Sequence, residues 1–377
     1  MPGPLQVYLV PGFFGFVNFG NLIYFSHVRE ILETELASRG CKAVIHRCNV
    51  SPTASIATRA SELLDFIRDT SSDEPIAIIG HSTGGLDARL LVSPGVNLGN
   101  GSDVEGIAAR VKTITSIATP HHGTPMATFF NGLLGQRLLR ILSLATVEIL
   151  REGPIPVAMM AKIGATLARI RLPSSKSAQV LDHLYEDLLG RLPMTERDQI
   201  ADFMADVVAD QALVPQLTPA GLDLFNAATN ERETTRYGCV VTRAARPSLR
   251  NRIALRLELG RHAGYAFYRL IHSVSGFADG DISWNLGSEH RSALLRAYGQ
   301  EVVPSDNDGI VPTLSQVHGK LLFAASADHL DVIGHFDDES HQPPHHDWLT
   351  TCSHFNRGRF EQLWSSIADF IHNDEGS

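Results

Sequence analysis

One serine lies in a sequence context that could turn its hydroxyl into a nucleophile. Residues 80–85 read Gly-His-Ser-Thr-Gly-Gly, so Ser82 is the central residue of a G-x-S-x-G pattern. The apolar stretch Ile76–Ile79 precedes this pattern, and a helical pattern over Leu86–Val92 follows it. In such a strand-turn-helix the serine backbone is strained, and the flanking positions must be glycine because a Cβ would strike the neighbouring chain. We predict that Ser82 attacks a carbonyl carbon; the alternative is a purely structural Gly-Ser turn.

Attack on a carbonyl places negative charge on its oxygen, and two hydrogen-bond donors are needed to stabilise that charge. The backbone N–H of the residue after the nucleophile supplies one of them, which is Thr83 here. The loop after the first predicted strand reads Pro11-Gly-Phe-Phe-Gly15, and we predict that the backbone N–H of Phe13 is the second donor. Phe13, Phe14 and Phe16 could also line an apolar site for an acyl group, although each could equally be a core residue.

A serine nucleophile of this kind requires a histidine base far downstream, with an acid between the two in chain order. Asp308 lies in a turn and is followed by Gly-Ile-Val, which suits a carboxylate held rigidly; Asp306 is its competitor. His329 lies on the loop after a late predicted strand, Lys320–Ala325. We predict that His329 takes the proton of Ser82 and that Asp308 orients the imidazole.

Strand and helix patterns alternate through the first 120 residues. This alternation predicts an α/β fold with a mostly parallel central sheet and helices on both faces. The predicted strands are Leu5–Val10, Lys42–His46, Pro75–Gly80 and Val111–Ala118, with later candidates at Tyr237–Val241 and Lys320–Ala324, and the predicted helices are Arg29–Arg39, Ala54–Arg68, Leu86–Val92 and Phe360–His372.

The middle of the chain has a different pattern. Leu133–Ala145 and Ile155–Ile170 read as helices that are apolar except for a narrow polar stripe. They could be ordinary helices packed on the sheet, or they could form a cap whose inner face meets an apolar substrate. We predict a single domain over residues 1–377 with an inserted helical cap, or lid, over residues 128–216.

Composition excludes several classes of protein. The 377 residues are 44% hydrophobic and 19% charged, which is a globular balance. The net charge of −9, with no long run of Lys or Arg, argues against nucleic acid as a partner. No stretch of about 18 apolar residues predicts a transmembrane segment.

Neither the first residues nor the cysteines indicate an exported, disulfide-rich protein. The chain begins Met-Pro-Gly-Pro without a positive charge, so no standard signal peptide is visible. The protein is therefore expected either to stay in the cytoplasm or to be secreted after a leader has been removed. Cys41, Cys48, Cys239 and Cys352 are expected to be reduced thiols, although one disulfide is possible on count alone.

These motifs together resemble the bacterial true lipases, which are triacylglycerol lipases of the α/β-hydrolase fold. In the segment Leu9–Phe16, Pro11 stands where the family usually has a histidine. The segments that carry the resemblance are Leu9–Phe16, Gly80–Arg89, Thr115–Ala127, Leu217–Thr229, residues 307–320 and Asp328–Asp331.

The resemblance implies a sheet that begins at Leu5, without the first pair of strands of the fold. It also implies Phe13 and Thr83 as oxyanion donors and a movable lid over Gln136–Ile170. The implied substrate is a lipid or another apolar ester, met at a lipid–water interface, and the implied chemistry needs no organic cofactor.

The family often carries a structural calcium ion near the base. Asp331, two residues after His329, matches one of its ligands, and Glu289 is a candidate for another. The following residues, Val-Ile-Gly-His, depart from the family pattern. The His- and Asp-rich tail could bind a metal, but its Gln-Pro-Pro segment favours a polar loop. This tail contains His335, His341, His345, His346 and His354 with Asp337, Asp338 and Asp347.

The sequence therefore predicts a serine hydrolase that cleaves carboxylic esters of lipids through an acyl-enzyme. The alternative within the same chemistry is a carboxylesterase acting on short-chain esters or polyesters. A protein of this fold that only binds an apolar ligand would be expected to have a broken triad, and the sequence contains no such break.

Overall fold

Six parallel strands form the central sheet, in the order β2-β1-β3-β4-β5-β6. The computed structural model describes residues 3–13, 23–99, 103–131, 133–152, 158–159, 162, 175–191, 205, 210–255, 259–276, 286–338 and 347–373. The strands are β1 (Leu5–Val10), β2 (Ala43–Arg47), β3 (Ile76–His81), β4 (Val111–Ile117), β5 (Arg236–Thr242) and β6 (Lys320–Ala325). All six coincide within two residues at either end with predicted strands, so the prediction of a parallel sheet is confirmed.

Helices cover both faces of this sheet. Those in the first part of the chain are α1 (Val28–Ser38), α2 (Ile56–Thr70), α3 (Gly84–Val92), α4 (Val104–Arg110), α5 (Pro125–Phe130), α6 (Leu133–Glu152) and α7 (Ser175–Leu189). Those in the second part are α8 (Leu213–Gln216), α9 (Pro219–Ala228), α10 (Leu249–Ala254), α11 (Leu259–Ser275), α12 (Ser288–Tyr298) and α13 (Arg357–His372).

Alternate residues of the strands enter two separate hydrophobic cores, because successive side chains of a strand point to opposite faces. Val7 and Leu9 of β1 pack in a large core with α1 and α13. Tyr8 and Val10 of the same strand pack in a second core with residues of α2 and α3. Burial on both faces explains why these strands read as continuous apolar runs in the sequence.

The order of the strands creates a crevice beside β1. The chain passes from β1 to β2 on one side, and β3 then pairs with β1 on the other side. Loops at the carboxyl ends of two such strands diverge, and the crevice between them is where ligands bind in sheets of this kind. The two loops concerned are those that carry Phe13 and Ser82.

The middle of the chain contributes helices to the large core. Helix α6 extends to Glu152, seven residues beyond the predicted end. Its side chains Leu139 and Leu144 are buried in the large core, as are Leu184 and Leu188 of α7. The predicted helix over residues 155–170 falls mostly outside the described residues. Among the described helices, none combines the length and the apolar character that crossing a bilayer would need.

Candidate active site

Ser82 occupies the sharp turn between β3 and α3. Its backbone has a φ of 53°, a left-handed conformation that is costly for a residue with a side chain. The turn closes tightly, since a Cβ on Gly80 would collide with the backbone of Gly84, and a Cβ on Gly84 would collide with the carbonyl oxygen of Val10. The glycines of the G-x-S-x-G pattern are therefore required by packing, and the tight turn predicted from the sequence is present.

His329 and Asp308 are in hydrogen-bond contact. The Nδ1 atom of the imidazole lies 2.8 Å from Oδ2 of the carboxylate, and the backbone N–H of His329 donates to the carbonyl oxygen of Asp308 at 3.1 Å. Both residues are buried, Asp308 completely and His329 with 6% of its surface exposed. The contact fixes the ring by one nitrogen and leaves Nε2 as the nitrogen that can exchange a proton with a reacting group.

The Asp308 carboxylate is held in place by a full set of donors. Its Oδ1 accepts the backbone N–H groups of Ile310 and Val311, at 2.9 and 2.8 Å. Its Oδ2 accepts the hydroxyl of Thr242 at 2.6 Å and the side-chain amide of Gln316 at 3.2 Å, in addition to His329. These donors fix the plane of the carboxylate, which in turn fixes the ring it contacts.

Asp306, the competing candidate for the acid, has a different role. Its two oxygens bind the Arg246 guanidinium at 2.5 and 2.7 Å, and Arg243 lies 3.7 Å away. The carboxylate also accepts the backbone N–H of Val303 at 3.1 Å. Its contacts stabilise the turn before Asp308, as expected for a turn-forming residue, and the contact with His329 is made by Asp308.

Ser82 and His329 line the same pocket, together with Phe13. The rest of the lining is almost wholly apolar and comes from distant parts of the chain. Helix α6 supplies Leu139, Leu142 and Thr146, helix α11 supplies Phe267 and Ile271, and the segment before α13 supplies Trp348. Sequence reasoning named Phe13 for this pocket but missed Tyr24, Phe267, Ile271 and Trp348, which no local motif marks.

The residues predicted to supply the oxyanion donors are Thr83, next to Ser82 in the chain, and Phe13, which lines the same pocket as Ser82. Thr83 is buried and directly precedes α3, so its backbone N–H belongs to the first turn, where helical N–H groups have no acceptor within the helix. Phe13 is half-buried in the loop after β1, and a Cβ on the neighbouring Gly12 would strike the side chain of Ser82. Phe14 and Phe16 lie outside the described residues.

A buried ion pair fixes the loop after β1 to the helix after the nucleophile. Arg59 of α2 contacts Oδ2 of Asp87 in α3 through Nε and Nη2, at 2.9 and 2.7 Å, and Nη2 also donates to the carbonyl oxygen of Pro11 at 2.7 Å. Both side chains are fully buried. Burial raises the pKa of Asp87 to about 6, although the Arg59 charge opposes the shift.

Three solved structures share this architecture. The lipase of Staphylococcus hyicus is 17% identical, covering 98% of this chain and 95% of its own, with a TM-score of 0.54. For lipase 1 from Pelosinus fermentans the identity is 18%, the coverage 98% of both chains and the TM-score 0.52. For EstA from Clostridium botulinum the values are 15%, 98% of this chain, 88% of the other, and 0.52. The chain has an α/β-hydrolase fold. No protein-family model and no curated protein matches it.

The first described strand of this sheet is β1 (Leu5–Val10), and the likeness in fold to bacterial lipases is confirmed. At these low identities the solved structures establish the fold alone. The chemistry must be argued from the side chains that the fold brings together.

Three carboxylates gather on the loop that carries His329 and beside it. One oxygen from each of Asp328, Asp331 and Asp347 lies within 4.8 Å of the other two. Burial raises the pKa of Asp328 to about 7, and burial together with repulsion from Asp328 raises the pKa of Asp331. Within the described part of the chain, the buried Oδ2 of Asp328 has no hydrogen-bond partner.

This cluster fits a hard divalent cation, because calcium binds carboxylate oxygens and would offset their mutual repulsion. The match of Asp331 to a calcium ligand is consistent with its place in the cluster. Glu289 was a wrong choice for the second ligand: it is exposed in the first turn of α12 and is not a member of the cluster. Asp328 and Asp347 stand there instead.

The His- and Asp-rich tail is only partly the polar loop that the sequence favoured. Residues 339–346, with His341, His345 and His346, lie outside the described residues. His335 is buried, and its Nε2 contacts the carbonyl oxygen of Tyr24 at 2.9 Å. Asp347 joins the carboxylate cluster, a position that only the folded chain reveals because its partners are 16 and more residues away.

Proposed function

We propose that this α/β-hydrolase cleaves carboxylic esters of lipids, with Ser82 as nucleophile, His329 as base and Asp308 as the acid that orients the base. The observation that carries the proposal is the pairing of His329 with Asp308 on one wall of an apolar pocket whose lining also includes the strained Ser82. The shared fold with two bacterial lipases supports it.

In the proposed reaction the ester carbonyl carbon is attacked by the Ser82 oxygen while Nε2 of His329 takes the hydroxyl proton. The same proton then passes to the leaving alcohol, which departs as the acyl-enzyme forms. Water enters, gives a proton to His329 and attacks the acyl-enzyme; His329 then passes this proton to the Ser82 oxygen as the acid is released. Asp308 stabilises the imidazolium that forms in each step without being protonated itself.

The two oxyanion donors in this proposal are the backbone N–H groups of Phe13 and Thr83. Both are tied to rigid parts of the fold. Thr83 belongs to the turn that enters α3, and the loop of Phe13 is held through Pro11 by Arg59. Donors fixed in this way need no reorganisation when charge develops on the carbonyl oxygen.

The lining of the pocket indicates that the part of the substrate bound there is an apolar acyl group. Apart from the catalytic groups, its lining offers aromatic and aliphatic side chains and few polar atoms. Such a lining favours the acyl chain of a lipid over a charged or sugar-like group. The second candidate function is a carboxylesterase that acts on short-chain esters or polyesters, which the same triad would cleave.

We further propose that residues 128–216 form a cap inserted into a single domain of residues 1–377. Helix α6 contributes to the pocket through Leu139, Leu142 and Thr146. The indole N–H of Trp348 donates to the Thr146 hydroxyl oxygen at 2.9 Å, which holds this part of α6 against the segment before α13. Such a cap could move as a lid when an apolar surface competes for its inner face.

A series of esters that differ only in acyl length separates the two functions. We expect kcat/KM to rise from acetate towards long-chain esters, and turnover to increase once the substrate forms an emulsion, because the pocket and cap are apolar. The measurement uses p-nitrophenyl esters and emulsified triacylglycerols with the same enzyme preparation. A maximum at the shortest esters, without a gain at the interface, would move the assignment to the carboxylesterase.

Calcium would be held by Asp328, Asp331 and Asp347, and it would stabilise the loop of His329 rather than take part in the reaction. We expect calcium to raise the melting temperature over that in a chelator by about 5 °C when it is well above its Kd. Asp331→Asn should abolish this gain, whereas Asp369→Asn, an exposed carboxylate paired with Arg39, should retain it. Equal melting temperatures with calcium and chelator would refute the site.

A further inference from the structure

A buried chain of hydrogen bonds runs behind the candidate active site. The backbone N–H of Gly12 donates to the hydroxyl oxygen of Tyr24 at 2.9 Å. That oxygen lies 2.6 Å from Nδ1 of His81, and Nε2 of His81 lies 2.8 Å from the carbonyl oxygen of His329. Tyr24 and His81 are both buried, with 4% and 0% of their surface exposed.

The direction of each bond in this chain follows from the chemistry of its ends. A carbonyl oxygen can only accept, so Nε2 of His81 carries the proton that it donates to His329. In the neutral ring Nδ1 is then an acceptor, and the Tyr24 hydroxyl must donate to it. The Tyr24 oxygen keeps a lone pair for Gly12. Burial lowers the pKa of His81 and raises the pKa of Tyr24, so both remain neutral.

Three members of this hydrogen-bond chain come from separate parts of the fold. Gly12 precedes Phe13 in the loop after β1, His81 precedes Ser82, and the third contact is the backbone of His329 itself. The rings of His81 and His329 lie with their centroids 4.7 Å apart. The proposed reaction brings together Phe13, Ser82 and His329. Phe13 and Ser82 are each adjacent in sequence to a residue of the hydrogen-bond chain, and His329 is itself a member.

We propose that Tyr24 and His81 are positioning residues. They hold the loop of Phe13, the turn of Ser82 and the loop of His329 at fixed distances from one another. The inference rests on the proposed function, because it assigns a role relative to Ser82, Phe13 and His329. Neither side chain exchanges a proton with the substrate. They act by fixing the distances between the reacting groups, whose positions in the transition state must be correct to within about 0.5 Å.

The backbone of Tyr24 is itself anchored, which allows its side chain to serve as a fixed point. Nε2 of His335 contacts the Tyr24 carbonyl oxygen, and the N–H of Ser26 donates to the carbonyl oxygen of Ile333 at 2.9 Å. A Cβ on Gly334 would collide with the Ser26 carbonyl oxygen, so this contact is close along its length. The segment that follows His329 therefore contacts the Tyr24 segment at two places, through His335 and through Ile333.

The first test is Tyr24→Phe, which removes the hydroxyl and keeps the ring that lines the pocket. We expect kcat to fall by about 10- to 100-fold with KM changed less than about threefold, because binding surface is kept and alignment is lost. The matched control is Tyr8→Phe. Tyr8 lies on β1, and its hydroxyl is hydrogen-bonded to the hydroxyl of Thr70 at 2.9 Å, away from the pocket. Removing the Tyr8 hydroxyl should therefore leave kcat unchanged.

The second test is His81→Gln, alone and combined with Tyr24→Phe. Glutamine can keep a donor for the His329 carbonyl oxygen but removes the ring nitrogen that Tyr24 contacts. If the chain acts as a unit, the double variant should be no slower than the slower single variant, whereas independent effects would multiply. Multiplied losses, or a wild-type kcat for Tyr24→Phe, would overturn the proposal.

Active-site titration with a fluorophosphonate keeps this test separate from the proposed function. Each rate is divided by the number of labelled sites, so a loss of activity that disappears after this division reflects a smaller folded fraction and would count against positioning. Normal labelling of Ser82 with unchanged kcat in the variants would reject only the role of Tyr24 and His81. A wild-type protein that is not labelled at Ser82 would reject the proposed function itself.

Discussion

Replacing Ser82 with alanine should lower kcat for ester hydrolysis on the order of 10⁴- to 10⁶-fold while KM and the melting temperature change little. The acyl-enzyme cannot form without the hydroxyl, and only the oxyanion donors and the binding pocket would still act on the substrate. Removing the oxygen also leaves the strained turn intact, since its φ of 53° is fixed by the flanking glycines. The rate is measured under single-turnover conditions with a soluble p-nitrophenyl ester.

Fluorophosphonate labelling gives an independent reading of the same prediction. The wild-type protein should be modified at one residue, Ser82, and the alanine variant should not react. Ser93 is a suitable control because it is buried at the far end of α3, where its hydroxyl accepts the backbone N–H of Asn230. Ser93→Ala should label and turn over as the wild type does. Turnover that survives in Ser82→Ala would exclude the proposed mechanism.

Asp308→Asn should lower kcat by about 10³- to 10⁴-fold. Oδ1 accepts two backbone N–H groups, so the amide oxygen of asparagine must take that place and the amide nitrogen must take the place of Oδ2. The amide nitrogen donates, so Nδ1 of His329 would have to accept and its proton would move to Nε2. A ring in that form cannot take the proton of Ser82.

The control for this change is Asp306→Asn, two residues away. It weakens the pairing with Arg246 and should lower stability, but the rate per folded molecule should stay close to that of the wild type. Both variants are compared by kcat after correction for the fluorophosphonate-labelled fraction. If Asp306→Asn lost activity and Asp308→Asn retained it, the acid would be wrongly assigned.

The sheet could be predicted because its signals are local. Each strand is a short apolar run that ends at Gly, Pro or a polar turn, and both faces of the sheet are covered, so such runs are continuous. Ser82 was predicted as the nucleophile for the same reason, from a pattern confined to six residues. Asp308 and His329 followed from chain order, and the structure brings those two into contact.

The rest of the site depends on contacts that no short segment contains. Tyr24 meets His81 across 57 positions, and Trp348 meets Thr146 across 202. Tyrosine and tryptophan at such positions look like ordinary core residues. The carboxylate cluster was missed for a related reason, since Asp347 lies in a stretch whose histidines and prolines indicate an irregular loop. Helix α6 extends seven residues beyond its predicted end at Ala145, although Val147, Ile149 and Leu150 continue its apolar pattern.

The pocket is assembled from segments that run from Phe13 to Trp348, almost the whole length of the chain. A ribosome therefore delivers Ser82 well before His329 and Trp348, which follow tens of seconds later at about 5–20 residues per second. A partly synthesised chain can fold its first strands and still be inert. Ester hydrolysis by the proposed triad would thereby be withheld from the nascent protein until Trp348 has emerged.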